Sequence, residues 1–267
     1  WVSHTDRNEI IANGVKLGNA NKGGSVYFNG TDYKDYIKIA ANSDMQMGTG
    51  DFTIEMWIWV DSETSNESCW RGIFSIGGYS TSNGITIYAP RATSPADTVV
   101  VILNTVNPTI GSTTDIKDNS WHHVALVKNS GTTSLYIDGT SEGSVSDSNN
   151  YTYSGDINIG RDANCSSTSR FKGFISNLRV TKGQALYTSN FTPSTEALTT
   201  TSQGATASNV KLLCCQSPDS FWSVTKYGTL NTSSEPHASW TPYGSTGGPV
   251  AKAFGPFTGD DGKGGFI

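Results

Sequence analysis

Residues 121–127 read W-H-H-V-A-L-V and set two of the chain's four histidines side by side, next to a tryptophan. Adjacent imidazoles can share a metal ion, pair as a catalytic base with its partner, or serve as hydrogen-bonded pieces of a core. The apolar residues around them read as a strand, in which successive side chains point to opposite faces. Trp121, His123, Ala125 and Val127 then share one face, and His122, Val124 and Leu126 share the other. Two imidazoles on opposite faces of a regular strand cannot chelate one ion, so no joint metal or acid–base site is expected. The pattern predicts one histidine hydrogen-bonded within a packed sheet and the other on the opposite sheet surface.

Two further chemistries can be weighed on spacing. Glycoside hydrolysis needs two carboxylates facing one bond, yet the longest apolar stretch, F-T-I-E-M-W-I-W-V (52–60), carries only Glu55, with Thr53 and Trp57 on its face. No E-x-D-x-x-E pattern accompanies it, and the chain is not expected to be an enzyme. The G-D-D-G-K-G-G run fails as a phosphate-binding loop, because Phe257 stands at the first glycine position and Gly264 replaces the magnesium-binding hydroxyl.

Calcium requires clustered oxygen ligands from loops. Asp162 and Asn164, two residues apart after the I-N-I-G segment, form one candidate set, and Asn29 and Asp32 of N-G-T-D form another. The competing reading is that these are turn residues satisfying their own backbones. Trp57, Trp59, Trp70 and Tyr79 offer aromatic faces for a carbohydrate, or else belong to the core, where aromatics supply much of the burial. Trp70, Tyr79 and Arg161 are the candidate ligand contacts. Of the four cysteines, Cys214 and Cys215 should point to opposite faces if both lie on a strand. Structural thiols are expected at all four positions, with a Cys69–Cys165 disulfide as the alternative that geometry must decide.

These side chains must be positioned by strands, because the chain is rich in glycine, serine, threonine and asparagine and only 15% charged, and helix signals are nearly absent. From residue 25 to residue 180, strand patterns alternate with turn signals at intervals of roughly 8 to roughly 15 residues, the rhythm of an all-β sandwich. Predicted strands cover 25–28, 36–40, 52–60, 72–76, 84–88, 99–103, 121–127, 134–138, 157–160 and 171–180. N-S-G-T and Asp138-Gly139 mark two tight hairpins. Residues 192–209 read as an excursion over the surface, after which V-K-L-L-C-C returns as a closing strand. Three segments follow: 1–22, an N-terminal arm or strand linking to a neighbouring unit; 23–216, the sandwich; and 217–267, a Gly/Pro/aromatic-rich arm. A net charge of −5, a pI near 5.3 and no Lys/Arg cluster argue against nucleic acid as a partner. No apolar run approaches the roughly 18–20 residues that span a bilayer, so no membrane insertion is expected.

The ordered segments S-V-Y-F-N-G-T-D-Y, G-D-F-T-I-E-M-W-I-W-V, S-W-H-H-V-A-L-V-K-N, L-Y-I-D-G-T, I-N-I-G and F-K-G-F-I-S-N-L-R-V-T-K-G resemble the laminin G-like, pentraxin-like branch of the concanavalin A-like sandwiches. The resemblance covers about residues 24–200. It implies a two-sheet antiparallel jelly roll in which W-H-H-V-A is a structural strand. Pentraxins bind calcium through the loop after their I-x-L-G strand; Asp162 and Asn164 fall in that loop, without the dense acidic and amide pattern of the family. N-L-R-V-T-K-G-Q-A-L-Y-T-S-N-F-T-P-S-T followed by V-K-L-L-C-C-Q-S is similar to laminin G-like modules in structural proteins of marine tailed phages, including cyanophages. That likeness implies an extracellular or virion-surface location, partners that are copies of the chain or other structural proteins, and a cell-surface glycan as an alternative partner with calcium as its cofactor. Joined end to start, G-G-F-I and W-V-S-H would make one strand-like run, so the chain is expected to be a unit of a longer or repeated protein, or to pair its arms with neighbouring copies.

Overall fold

The computed structural model describes residues 24–30, 36–61, 71–89, 98–105, 109–162, 171–216, 226–227, 250–252 and 256, with the backbone alone described at 29, 109, 226–227 and 250–252. Its strands are β1 (Ser25–Asn29), β2 (Ile37–Ile39), β3 (Phe52–Val60), β4 (Arg71–Ile76), β5 (Ile85–Ala89), β6 (Val100–Leu103), β7 (Thr109–Gly111) and β8 (Trp121–Asn129). They continue as β9 (Thr132–Ile137), β10 (Thr140–Ser146), β11 (Ile157–Ile159), β12 (Lys172–Lys182), β13 (Val210–Cys214), β14 (Lys226–Tyr227) and β15 (Val250–Lys252).

They form two antiparallel sheets. The larger runs β10-β9-β8-β3-β12-β1-β15, with β13 on β12 and β14 on β13; the smaller runs β2-β11-β4-β5-β6-β7. This is the two-sheet jelly-roll sandwich that the strand rhythm predicts. Ile54, Met56 and Ile58 of β3, with Val124 and Leu126 of β8, face Phe74, Ile76, Ile85 and Ile87 of the smaller sheet in one core, all but Ile76 fully buried and that residue 1% exposed. Each such side chain contributes roughly 1.5–3 kcal/mol by leaving water.

The two hairpins form as their residues require. Ser130 and Gly131 take φ 48° and 79°, and Asp138 and Gly139 take φ 51° and 78°. All four thus occupy the left-handed region that a type I′ turn demands. Gly139 has a second reason: a Cβ there would come within 1.9 Å of the Phe191 carbonyl oxygen. The hairpin thereby receives the chain segment that lies across it, with Phe191 N–H donating to Gly139 O at 2.9 Å.

That segment leaves β12 and returns at β13, so it begins earlier than the excursion expected at 192–209, and it is packed rather than merely draped. Tyr187 and Phe191 close over Ala125, Val127 and Tyr136 on the outer face of the larger sheet. Leu198 and Ala205 pack on Val210 and Leu213. The centre of the larger sheet is consequently buried on both sides. β12 serves two neighbours along its other edge, β1 beside residues 172–175 and β13 beside residues 178–181, with an irregularity between Ser176 and Arg179 where Asn177 has φ 52°.

Two expectations are revised. β7 and β10 carry too little apolar alternation to be read from the sequence; β10, T-S-E-G-S-V-S, is largely exposed and forms because its I′ turn folds it onto β9. Cys214 and Cys215 do not point apart. β13 ends at Cys214, and Cys215 takes φ 62°, which turns its side chain back to the same side; both lie in the main core with sulfurs 3.6 Å apart. Cys69, Cys165 and the N-terminal arm lie outside the described residues.

Candidate functional site

The adjacent histidines separate as alternation requires. His123 pairs across the sheet with Trp57, and His122 with Ile58, so they occupy opposite faces of β8. His123 lies on the outer face beneath the excursion, 1% exposed, with Nε2 3.2 Å from Glu55 Oε2. Glu55 is wholly buried and is the centre of a network. Arg179 on β12 donates through Nε (2.9 Å) and Nη2 (2.6 Å) to Glu55 Oε1, and Tyr187 Oη donates to Oε2 at 2.8 Å. The remaining Arg179 nitrogen, Nη1, donates to the carbonyls of Thr199 (2.8 Å) and Ser202 (2.9 Å) on the excursion.

Burial works to raise the Glu55 carboxyl, but the bond to His123, the Arg179 charge and the Tyr187 hydroxyl together outweigh it and hold the group below its usual range. Burial and the Glu55 charge push the Tyr187 phenol up. Glutamate, histidine, tyrosine and arginine are the types an acid–base site uses, yet Glu55 and Arg179 are 0% exposed and His123 only 1%. All three are closed off from the surface of the sheet. The network fastens the excursion to the sheet, and sequence reasoning missed it because Arg179 and Tyr187 are 124 and 132 residues from Glu55.

His122 sits at the rim of the sandwich between two carboxylates, Nδ1 2.7 Å from Asp138 and Nε2 3.0 Å from Asp118. Burial lowers its pKa, but the bonds and charges of Asp138 and Asp118 win and raise it to about 9. The imidazolium is a clasp joining the β8 entry to the β9–β10 turn.

The ligand and calcium candidates fall in several places. Asp162 is 1% exposed, and its oxygens accept bonds from Tyr88 Oη at 2.7 Å and from Tyr79 N–H at 3.3 Å. It therefore acts in the structure as an internal carboxylate that holds the β4–β5 loop. Gly72 lies beneath it: a Cβ there would come within 2.3 Å of Asp162 N. Arg161, the preceding residue, places its guanidinium 4.7 Å from the Tyr36 ring centroid. Tyr79 is 47% exposed. The structure thus joins Tyr79 to Asp162, with Arg161 and Tyr36 alongside. Tyr36 and Tyr88 were not legible as members of this group, because they reach it through space, one from the entry to β2 and the other from β5.

Asp32, Asn164 and Trp70 lie outside the described residues, as does the Asn29 side chain. Among the described residues no group of three or more His, Cys, Asp or Glu gathers, and Asp162, the one candidate calcium ligand whose side chain is described, spends its oxygens on Tyr88 and Tyr79. Trp57 and Trp59 are on the outer face of the larger sheet, not near Tyr79. There Tyr27, Phe174, Trp59 and Trp121 stand opposite one another across four strands. Their rings pack tilted or edge-on, with centroids 4.8 Å (Tyr27–Phe174), 5.5 Å (Trp59–Phe174) and 6.2 Å (Trp121–Phe174) apart. Rings meeting at such angles make a packed seam rather than a flat platform.

Solved structures similar to the chain include the heptameric SAP-like pentraxin of Limulus polyphemus, 19% identical over 70% of this chain and 82% of that one, with a TM-score of 0.43. Domains LG4-5 of the mouse laminin α1 chain are 17% identical over 65% of this chain and 47% of that one, TM-score 0.42. The binding domain of Paraclostridial Mosquitocidal Protein 1 is 16% identical over 61% and 44%, TM-score 0.41. The match spans less than half the length of the last two. No curated protein matches the chain. A family profile of laminin G type, described as the concanavalin A-like lectin/glucanases superfamily, matches residues 28–186, more than half of the sequence. With that match and its two antiparallel sheets, the chain belongs to the concanavalin A-like lectin/glucanases superfamily.

Proposed function

We propose that the chain is a non-enzymatic structural module of an extracellular or virion appendage or fibre, assembling with copies of itself or with other structural proteins through its terminal arms. The observation that supports this most is the pairing of β15 with β1, Ser25 opposite Lys252 and Tyr27 opposite Val250. The C-terminal arm adds a strand to the edge of the larger sheet, and a strand added in this way can be exchanged with one from a neighbouring copy. The sealing of Glu55 agrees with a non-enzymatic role. Sedimentation velocity on the whole chain and on a chain ending at Gln216 tests the proposal. Concentration-dependent association that disappears with the arm is the expected result; a whole chain that stays monomeric at high concentration overturns it.

A second reading is a carbohydrate-binding adhesin, favoured by the exposed Tyr79, whose N–H bonds the Asp162 carboxylate next in sequence to Arg161. A glycan array with and without calcium separates the two, since saturable binding belongs to this second reading alone. Loss of binding on chelation would support Asn29, Asp32, Asp162 and Asn164 as a calcium set.

A further inference from the structure

We propose that Cys214 and Cys215 close into a vicinal disulfide, an eight-membered ring at the point where the chain leaves the sandwich. Two observations carry this. Both cysteines are buried in the main core, 3% and 1% exposed, with Sγ atoms 3.6 Å apart, which is contact distance. Cys215 also adopts φ 62°. That region crowds a Cβ against the following carbonyl oxygen, and glycine or asparagine would normally fill it. Strand alternation would send Cys215 to the outer face with Leu213. The left-handed turn brings it to the Cys214 side, so that the two sulfurs touch.

The surroundings fix this corner. Asn177 N–H donates to Cys215 O at 3.3 Å, and the Gln216 side-chain amide donates to Asn177 Oδ1 and Leu198 O, both at 2.7 Å. Gly24 N–H donates to the Gln216 carbonyl. A ring here fixes the backbone from which the C-terminal arm departs.

The oxidant is a low-molecular-weight disulfide such as glutathione disulfide. One cysteine thiolate attacks it, releasing one glutathione thiol and leaving a mixed disulfide. The neighbouring thiolate then displaces the second glutathione, so two protein thiols lose two electrons and two protons while one small disulfide becomes two thiols. Because the partners are sequence neighbours, this exchange takes place before the core closes over them. Adjacent Cα atoms lie about 3.8 Å apart, nearer than in ordinary disulfides, so the ring is strained and readily reduced.

The test is refolding in glutathione disulfide with the C69S/C165S chain, followed by denaturation, iodoacetamide and tryptic mapping. The peptide of residues 212–226 is expected about 2 Da below its dithiol mass and unalkylated, and brief dithiothreitol in denaturant restores two alkylation sites. Two alkylated cysteines without reduction, a retained glutathione adduct, or a link between two chains would each overturn the proposal.

Discussion

His122 and His123 are neighbours in sequence and opposites in environment. His123 shares a dry network with Glu55, Tyr187 and Arg179, in which Glu55 and Arg179 are wholly sealed. His122 is clasped by Asp118 and Asp138, whose side chains are 45% and 44% exposed. In the first, low dielectric makes each partner indispensable to the others; in the second, water screens the same kinds of charge. One peptide bond of chain therefore crosses from a structural lock to a titratable clasp.

The largest effect is expected from breaking the lock. Arg179→Met leaves Glu55 buried without its counter-charge and should cost about 3–5 kcal/mol, read by urea unfolding. Combining it with Glu55→Gln should recover part of that loss. A single-variant cost below about 1 kcal/mol would mean that water enters the network and the contrast with His122 is false.

The clasp is tested by pH. The folded pKa of His122, about 9, lies above its ordinary 6.5, so its stabilisation is fully present below 6.5 and is lost as pH rises through 9. With exposed partners screening the charge, about 2 kcal/mol should disappear between pH 6 and pH 10, and His122→Gln should flatten that profile. Glu55 has the opposite sign: its lowered pKa gives stability present above the ordinary glutamate value and lost as pH falls through the folded one. A His122→Gln chain with an unchanged alkaline slope would refute the clasp.

Tyr187→Phe removes one bond to Glu55 and should cost about 1 kcal/mol. Because that bond fastens the excursion, amide exchange over residues 184–205 should accelerate more than elsewhere; uniform acceleration would show that the excursion is not held locally. The smallest effect is expected at Lys38–Asp156, 2.5 Å apart but 32% and 39% exposed. Lys38→Ala should shift stability by no more than about 0.5 kcal/mol in thermal unfolding, giving the baseline for a surface pair.

Much of this contrast was legible beforehand. Alternation in W-H-H-V-A-L-V separated the two histidines, and Asp138-Gly139 marked the turn that supplies one carboxylate to His122. The carboxylate of Glu55 was visible as isolated on its strand, but not its sealing, because that depends on residues far away in the sequence, Arg179 and Tyr187. Asp162 was visible as a loop acid, whereas its commitment to Tyr88 and to the Tyr79 amide was not.

The sequence by itself determined most of the strands, though not β7, β10, β14 or β15, where the I′ turns fall, and which side chains share a face within each strand, since these follow from local sterics with a period of two. Only the tertiary structure decided that the excursion closes over the larger sheet, that the arm returns to pair with β1, and that Cys215 turns back toward Cys214. Each depends on surfaces brought together by the fold: an apolar face that needs cover, a strand edge that needs hydrogen bonds, and a corner whose partners arrive from Asn177, Leu198 and Gly24.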